Sequence, residues 1–60
     1  MRLVRIIKFD STERDENVTK RINNELIRIY KDNGKIGNII YRDTRVNDHV
    51  KYCCIIEYEK

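Results

Sequence analysis

The hydrophobic positions along the chain fall into four runs with two different periods. Arg2 to Phe9 reads Arg-Leu-Val-Arg-Ile-Ile-Lys-Phe, a short stretch rich in β-branched and aromatic residues that predicts a strand. Val18, Ile22, Leu26, Ile29 and Tyr30 then recur at steps of four, four, three and one, a single apolar stripe with helical period. Beyond Gly34 the period changes. Ile36, Ile39, Ile40 and Tyr41 predict a second strand, with Gly37 at a bulge or close contact. Val50 to Glu59 predicts the third: Val50, Tyr52, Cys54, Ile56 and Tyr58 line one face, and Lys51, Cys53, Ile55, Glu57 and Glu59 the other.

The polar residues between these runs supply the boundaries. Asp10 with Glu13, or Thr12 with Asp15, has the spacing of a reciprocal helix cap, and Glu13, Asp15 and Glu16 suit the positive end of the helix dipole. Asn33-Gly34 is expected to end the helix, with the glycine in the left-handed conformation. Asp43 to His49 reads as a polar turn with Asn47-Asp48 at its tip. The order is β-α-β-β. The last two strands form an antiparallel hairpin, and the helix crosses back so that the first and second strands run the same way. The most continuously apolar strand, the third, belongs at the centre, giving the order 1-3-2. The expected fold is therefore α+β, a two-layer sandwich in one domain over residues 1–60, with the helix on the even-numbered face of strand three.

One helix covers one sheet face, yet apolar residues lie on both. In strand one, Leu3, Ile7 and Phe9 oppose Val4 and Ile6. In strand two, Ile39 and Tyr41 are expected opposite Ile36 and Ile40, and strand three adds Cys53 and Ile55. We expect Val4, Ile6, Ile39, Tyr41, Cys53 and Ile55 to form an open apolar face that a second copy covers, because monomers rarely expose so contiguous a patch. For an external partner the candidates are Arg42, Arg45 and His49, set in the polar hairpin loop where they can reach outward.

Composition narrows the chemistry. Sixty residues allow one domain, which buries only about 60% of its unfolded surface and is marginal without added burial. The chain is 40% hydrophobic and 38% charged, which suits a folded unit rather than a disordered tail. Thirteen Lys and Arg stand against ten Asp and Glu, a net charge of +3, but the signs alternate. No apolar stretch approaches the ~20 residues of a membrane span, and Met1 leads into a charged strand rather than a signal segment. The expectation is a cytoplasmic chain with no membrane partner.

Cys53 and Cys54 are the only cysteines and, as strand neighbours, point to opposite faces, so no disulfide framework is expected. His49 is the only histidine. A nucleophile and base drawn from Cys53 and His49 lacks the exposed, electropositive setting a thiolate needs. A zinc site from these residues lacks a fourth ligand within one chain. We expect no cofactor, no metal and no enzyme activity. Asn17-Val18-Thr19 matches a glycosylation acceptor but falls inside the helix. The competing reading is a small basic nucleic-acid binder, in which Arg2, Arg5 and Lys8 meet phosphates and Tyr41 and Tyr52 stack on bases.

With the strand opening in Lys8-Phe9-Asp10-Ser11 and the closing hairpin of Ile39-Ile40-Tyr41 and the run from Val50 to Tyr58, the chain resembles the very small β-α-β-β sporulation-type proteins of spore-forming bacteria and their phages. That resemblance implies no active site. It implies a protein that binds and blocks a host protein, such as a bacterial defence or regulatory protein, in the host cytoplasm.

Overall fold

A computed structural model describes residues 1–60. Strand β1 spans Arg2–Asp10, helix α1 Asp15–Lys31, β2 Lys35–Val46 and β3 His49–Glu59. The sheet order is β1-β3-β2, with β3 antiparallel to both neighbours, as the patterning predicts. Ile7 of β1 pairs with Cys54, which pairs on its other side with Tyr41 of β2.

The core is small. Ile22 and Ile29 of α1 join Ile7, Cys54, Ile56 and Tyr58 in one buried cluster, with Leu3, Phe9, Val18 and Leu26 packed around it. Cys54 and Ile56 are fully enclosed, so β3 is the centre in packing as well as in order. Phe9 and Tyr52 stack across the β1–β3 ladder with ring centroids 5.6 Å apart, closing the cluster at the helix N-terminal end.

The helix start differs from the expected cap. Arg14 is the N-cap residue and makes no side-chain cap bond, although Asp15 and Glu16 do sit in the first turn. Asp10 instead turns back locally, accepting from the Thr12 amide at 3.0 Å and from the Thr12 hydroxyl. Glu13 lies before the helix and receives both bonds from the Arg21 Nη1 at 2.8 Å, while Arg21 Nη2 donates to the Lys8 carbonyl at 2.8 Å. One arginine thereby ties α1, β1 and their connection together.

The helix end also corrects the expectation for Gly34. Asn33 takes the left-handed conformation, at φ 62°, and neither glycine does. The Gly34 amide donates to the Ile29 carbonyl at 2.8 Å and the Asn33 amide to that of Tyr30 at 3.2 Å, the paired closure of a Schellman cap. Gly34 is required for space. A Cβ there would stand 2.6 Å from Ile29 Cγ2, 2.9 Å from the Ile29 carbonyl oxygen and 3.1 Å from a Tyr58 ring carbon.

At the other end, the expected loop from Asp43 to His49 is mostly strand. Asn47 and Asp48 have φ 47° and 64°, the pair of left-handed residues that a two-residue hairpin turn requires. All turning is done in those two residues, so Val46 pairs directly with His49 and the ladder continues through Asp43.

These contacts make Gly34 the most sensitive surface-end position. Gly34→Ala should lower unfolding free energy on the order of 1–3 kcal/mol through overpacking, read from urea denaturation. Gly37→Ala, where a Cβ meets only the Glu57 carbonyl oxygen at 3.5 Å, should change it by under about 0.5 kcal/mol.

Candidate interaction surfaces

Pairing across an antiparallel ladder puts facing residues on the same side, so the register assigns every strand side chain. Val4, Ile6 and Lys8 of β1 share the open side with Glu57, Ile55 and Cys53 of β3. From β2, Asn38, Ile40 and Arg42 join them. The expected open-face residues Val4, Ile6, Cys53 and Ile55 are thus brought together, with Ile6, Ile55 and Ile40 in one row.

Ile39 and Tyr41 are not on that face. They pair with Ile56 and Cys54, on the helix side, and Ile36 joins them opposite Tyr58. The cause is a bulge between Ile36 and Asn38. An extra residue in one strand reverses the in–out alternation beyond it, so Ile36, Ile39 and Tyr41 share a side and Ile40 crosses to the other. Gly37 signals the bulge in the sequence, and counting parity through it finds Ile40, which unbroken alternation misses.

Being on the helix side does not cover these residues. A helix is about 10–12 Å across with its side chains and strands lie about 4.8 Å apart, so one helix roofs two strands. Side chains of α1 tie it to β1: Arg21 donates to the Lys8 carbonyl, and Glu25 lies 4.0 Å from Arg5. The inner side of β2 is only partly covered, with Tyr41 64%, Ile39 41% and Ile36 38% exposed. On the helix itself, the flank turned away from Arg21, Glu25 and Arg28 carries Tyr30 and Ile27, 78% and 51% exposed. Exposed apolar residues therefore occur on the helix side of β2 and on the helix as well as on the open face.

Arg42, Arg45 and His49 do not converge in a loop. Arg42 pairs with Cys53 on the open face, Arg45 with Val50 on the helix side, and His49 opens β3 opposite Val46. His49 and Cys53 share a face but stand four strand residues apart, about 13 Å, so they do not form a nucleophile and base. The basic set also divides. Arg2 and Lys8 face the open side, Arg2 with Glu59 at 3.9 Å, while Arg5 lies on the helix side near Glu25. Tyr41 and Tyr52 lie on the helix side too, so Lys8 and the two tyrosines do not form one stacking platform.

Two titrating groups are displaced from their ordinary values. The Thr12 hydroxyl and then its amide hold Asp10 below the usual carboxylate range. Burial pushes the Cys54 thiol up, and the Tyr41 side chain beside it pulls less strongly the other way. No helix is long and apolar enough to cross a membrane. No protein-family model, curated protein or solved structure matches the chain.

The two cysteines should therefore separate cleanly. At submicromolar protein, iodoacetamide is expected to label Cys53, which is half-buried on the open face, and to reach buried Cys54 only on unfolding, as peptide mass mapping would show. Asp10 should titrate below the ordinary range by NMR, and Thr12→Ala should raise its midpoint. A depressed folded-state pKa adds stability at neutral pH that is lost as pH falls through that value.

Proposed function

We propose that the chain is a non-enzymatic interaction protein that works as a homodimer and acts by occupying the surface of another protein. The observation that carries this is the ratio of covered to uncovered apolar surface. Six residues are buried, while ten large hydrophobics, Val4, Ile6, Tyr30 and Tyr41 among them, stand exposed. Fully burying each such side chain contributes about 1.5–3 kcal/mol, a large fraction of the total stability of so short a domain. Self-association supplies that burial at the lowest cost in new sequence, since every apolar patch on one copy is present on the next.

The separation of the surfaces supports the second half of the reading. Apolar residues occur on the open face and again along the α1–β2 side, so one can serve self-association while the other stays free for a different protein. Arg42 borders the open patch and His49 lies on the same side farther along the hairpin, while Arg45 lies on the helix side. The resemblance to small sporulation-type and phage proteins directs the search for that protein to bacterial defence and regulatory factors.

Light scattering at micromolar concentration should report twice the 7.3 kDa of one chain, and the melting temperature should rise with protein concentration. A clean single-chain mass with a concentration-independent melt would overturn the dimer. Single-stranded oligonucleotide is expected to bind weakly if at all; tight binding that falls steeply with salt and with Arg2→Ala would establish the nucleic-acid reading instead.

A further inference from the structure

We infer that Asn33 is a site of spontaneous covalent modification, at which the Gly34 nitrogen closes a ring on the Asn33 side chain, and that the helix cap holds this reaction off while it stays closed. The chemistry needs an asparagine followed by a residue with no side chain to obstruct the approach. Of the six asparagines in the chain, only Asn33 precedes a glycine. Asn33 is also exposed, which admits the solvent base and water that the reaction uses and lets the ammonia it forms escape.

The atoms balance between the chain and solvent. The Gly34 amide gives its proton to a solvent base, and its nitrogen attacks Cγ of Asn33. A Cγ–N bond forms, the Cγ–Nδ2 bond breaks, and Nδ2 leaves with a proton as ammonia, closing a succinimide. Water then opens the ring at one of its two carbonyls. Cleavage at Cγ gives aspartate. Cleavage at the main-chain carbonyl gives isoaspartate, in which the chain runs through the side-chain carbons and is one atom longer.

The closed cap opposes the first step. The proton that must leave is held by the Ile29 carbonyl, to which the Gly34 amide donates at 2.8 Å. The preceding peptide is fixed as well, because the Asn33 amide donates to the Tyr30 carbonyl at 3.2 Å with Asn33 at φ 62°. Packing restrains Gly34 further: the place its Cβ would take is 2.6 Å from Ile29 Cγ2 and 3.1 Å from a Tyr58 ring carbon. Ring closure therefore waits on local opening of the helix end. Once isoaspartate has formed, the opening is lasting. The added chain atom lies between Asn33 and Gly34, and the two bonds of a Schellman closure depend on the unmodified spacing.

The full chain is to be incubated in mildly alkaline buffer, folded and in urea, and sampled over time by tryptic mass mapping. Cleavage after Lys31 and Lys35 releases residues 32–35, where the amide-to-acid mass gain and the separation of aspartate from isoaspartate are read. In the unfolded chain this peptide is expected to convert before any other asparagine. In the folded chain it should convert roughly tenfold or more slowly, with the rate climbing as urea is raised and levelling off at the unfolded value. Asn33→Gly, which suits a left-handed position, should fold and show no mass gain there. Chain purified with isoaspartate at position 33 should melt below the unmodified protein. Equal rates in the folded and unfolded chain would overturn the protection by the cap. Earlier conversion at another asparagine in the unfolded chain would overturn the choice of site, and an unchanged melt of the isoaspartate form would overturn the lasting opening.

Discussion

Ile22 and Ile29 of α1 share one buried cluster with Ile7, Cys54, Ile56 and Tyr58, and the position of that contact determines which surfaces the molecule has left to use. The helix is anchored toward β1 by Arg21, which holds both Glu13 and the Lys8 carbonyl. It encloses Cys54 and Ile56 of β3 and leaves Ile36, Ile39 and Tyr41 of β2 partly exposed.

The dual apolar character of the sheet follows from the same geometry. A central strand in a two-layer sandwich normally alternates apolar and polar residues. β3 does so only at its ends: Cys53 and Ile55 on the open side interrupt the alternation beside Cys54 and Ile56 on the other. The apolar row Ile6–Ile55–Ile40 is therefore narrow, flanked by Val4 and Cys53 and bounded by charge on both sides.

Much of this was legible in the residues. The 3.6-residue stripe from Val18 to Ile29, the two-residue alternation of β3 and the punctuation at Asn33-Gly34 and Asn47-Asp48 are strong local signals, and element order and sheet order followed from them. Four features were not, each for a physical reason. The N-terminal acids had several bonding choices, and Asp10 chose the nearest turn while Glu13 was taken by Arg21 from a later helical turn. The length of the hairpin loop depended on both Asn47 and Asp48 accepting left-handed backbone. The facing of Ile39 and Tyr41 turned on one inserted residue at Gly37. Which strands the helix would cover was not encoded in any local pattern, because it is decided by long-range pairing, and the α1–β2 surface was missed with it.

The hairpin outruns the rest of the sheet. β1 stops at Asp10, paired with Lys51, so the stretch from Arg45 through Val50 has no third strand beside it, and the residues from Tyr41 to His49 are all exposed. This two-stranded ribbon is held by its turn and its ladder alone, whereas the opposite end is held by packing. An isolated hairpin is only marginally stable in water. The protein thus carries a graded structure, firm at Ile29 and Ile56 and loosening toward Asn47. Opening at that tip can proceed without disturbing the hydrophobic cluster, because none of its residues belongs to that cluster.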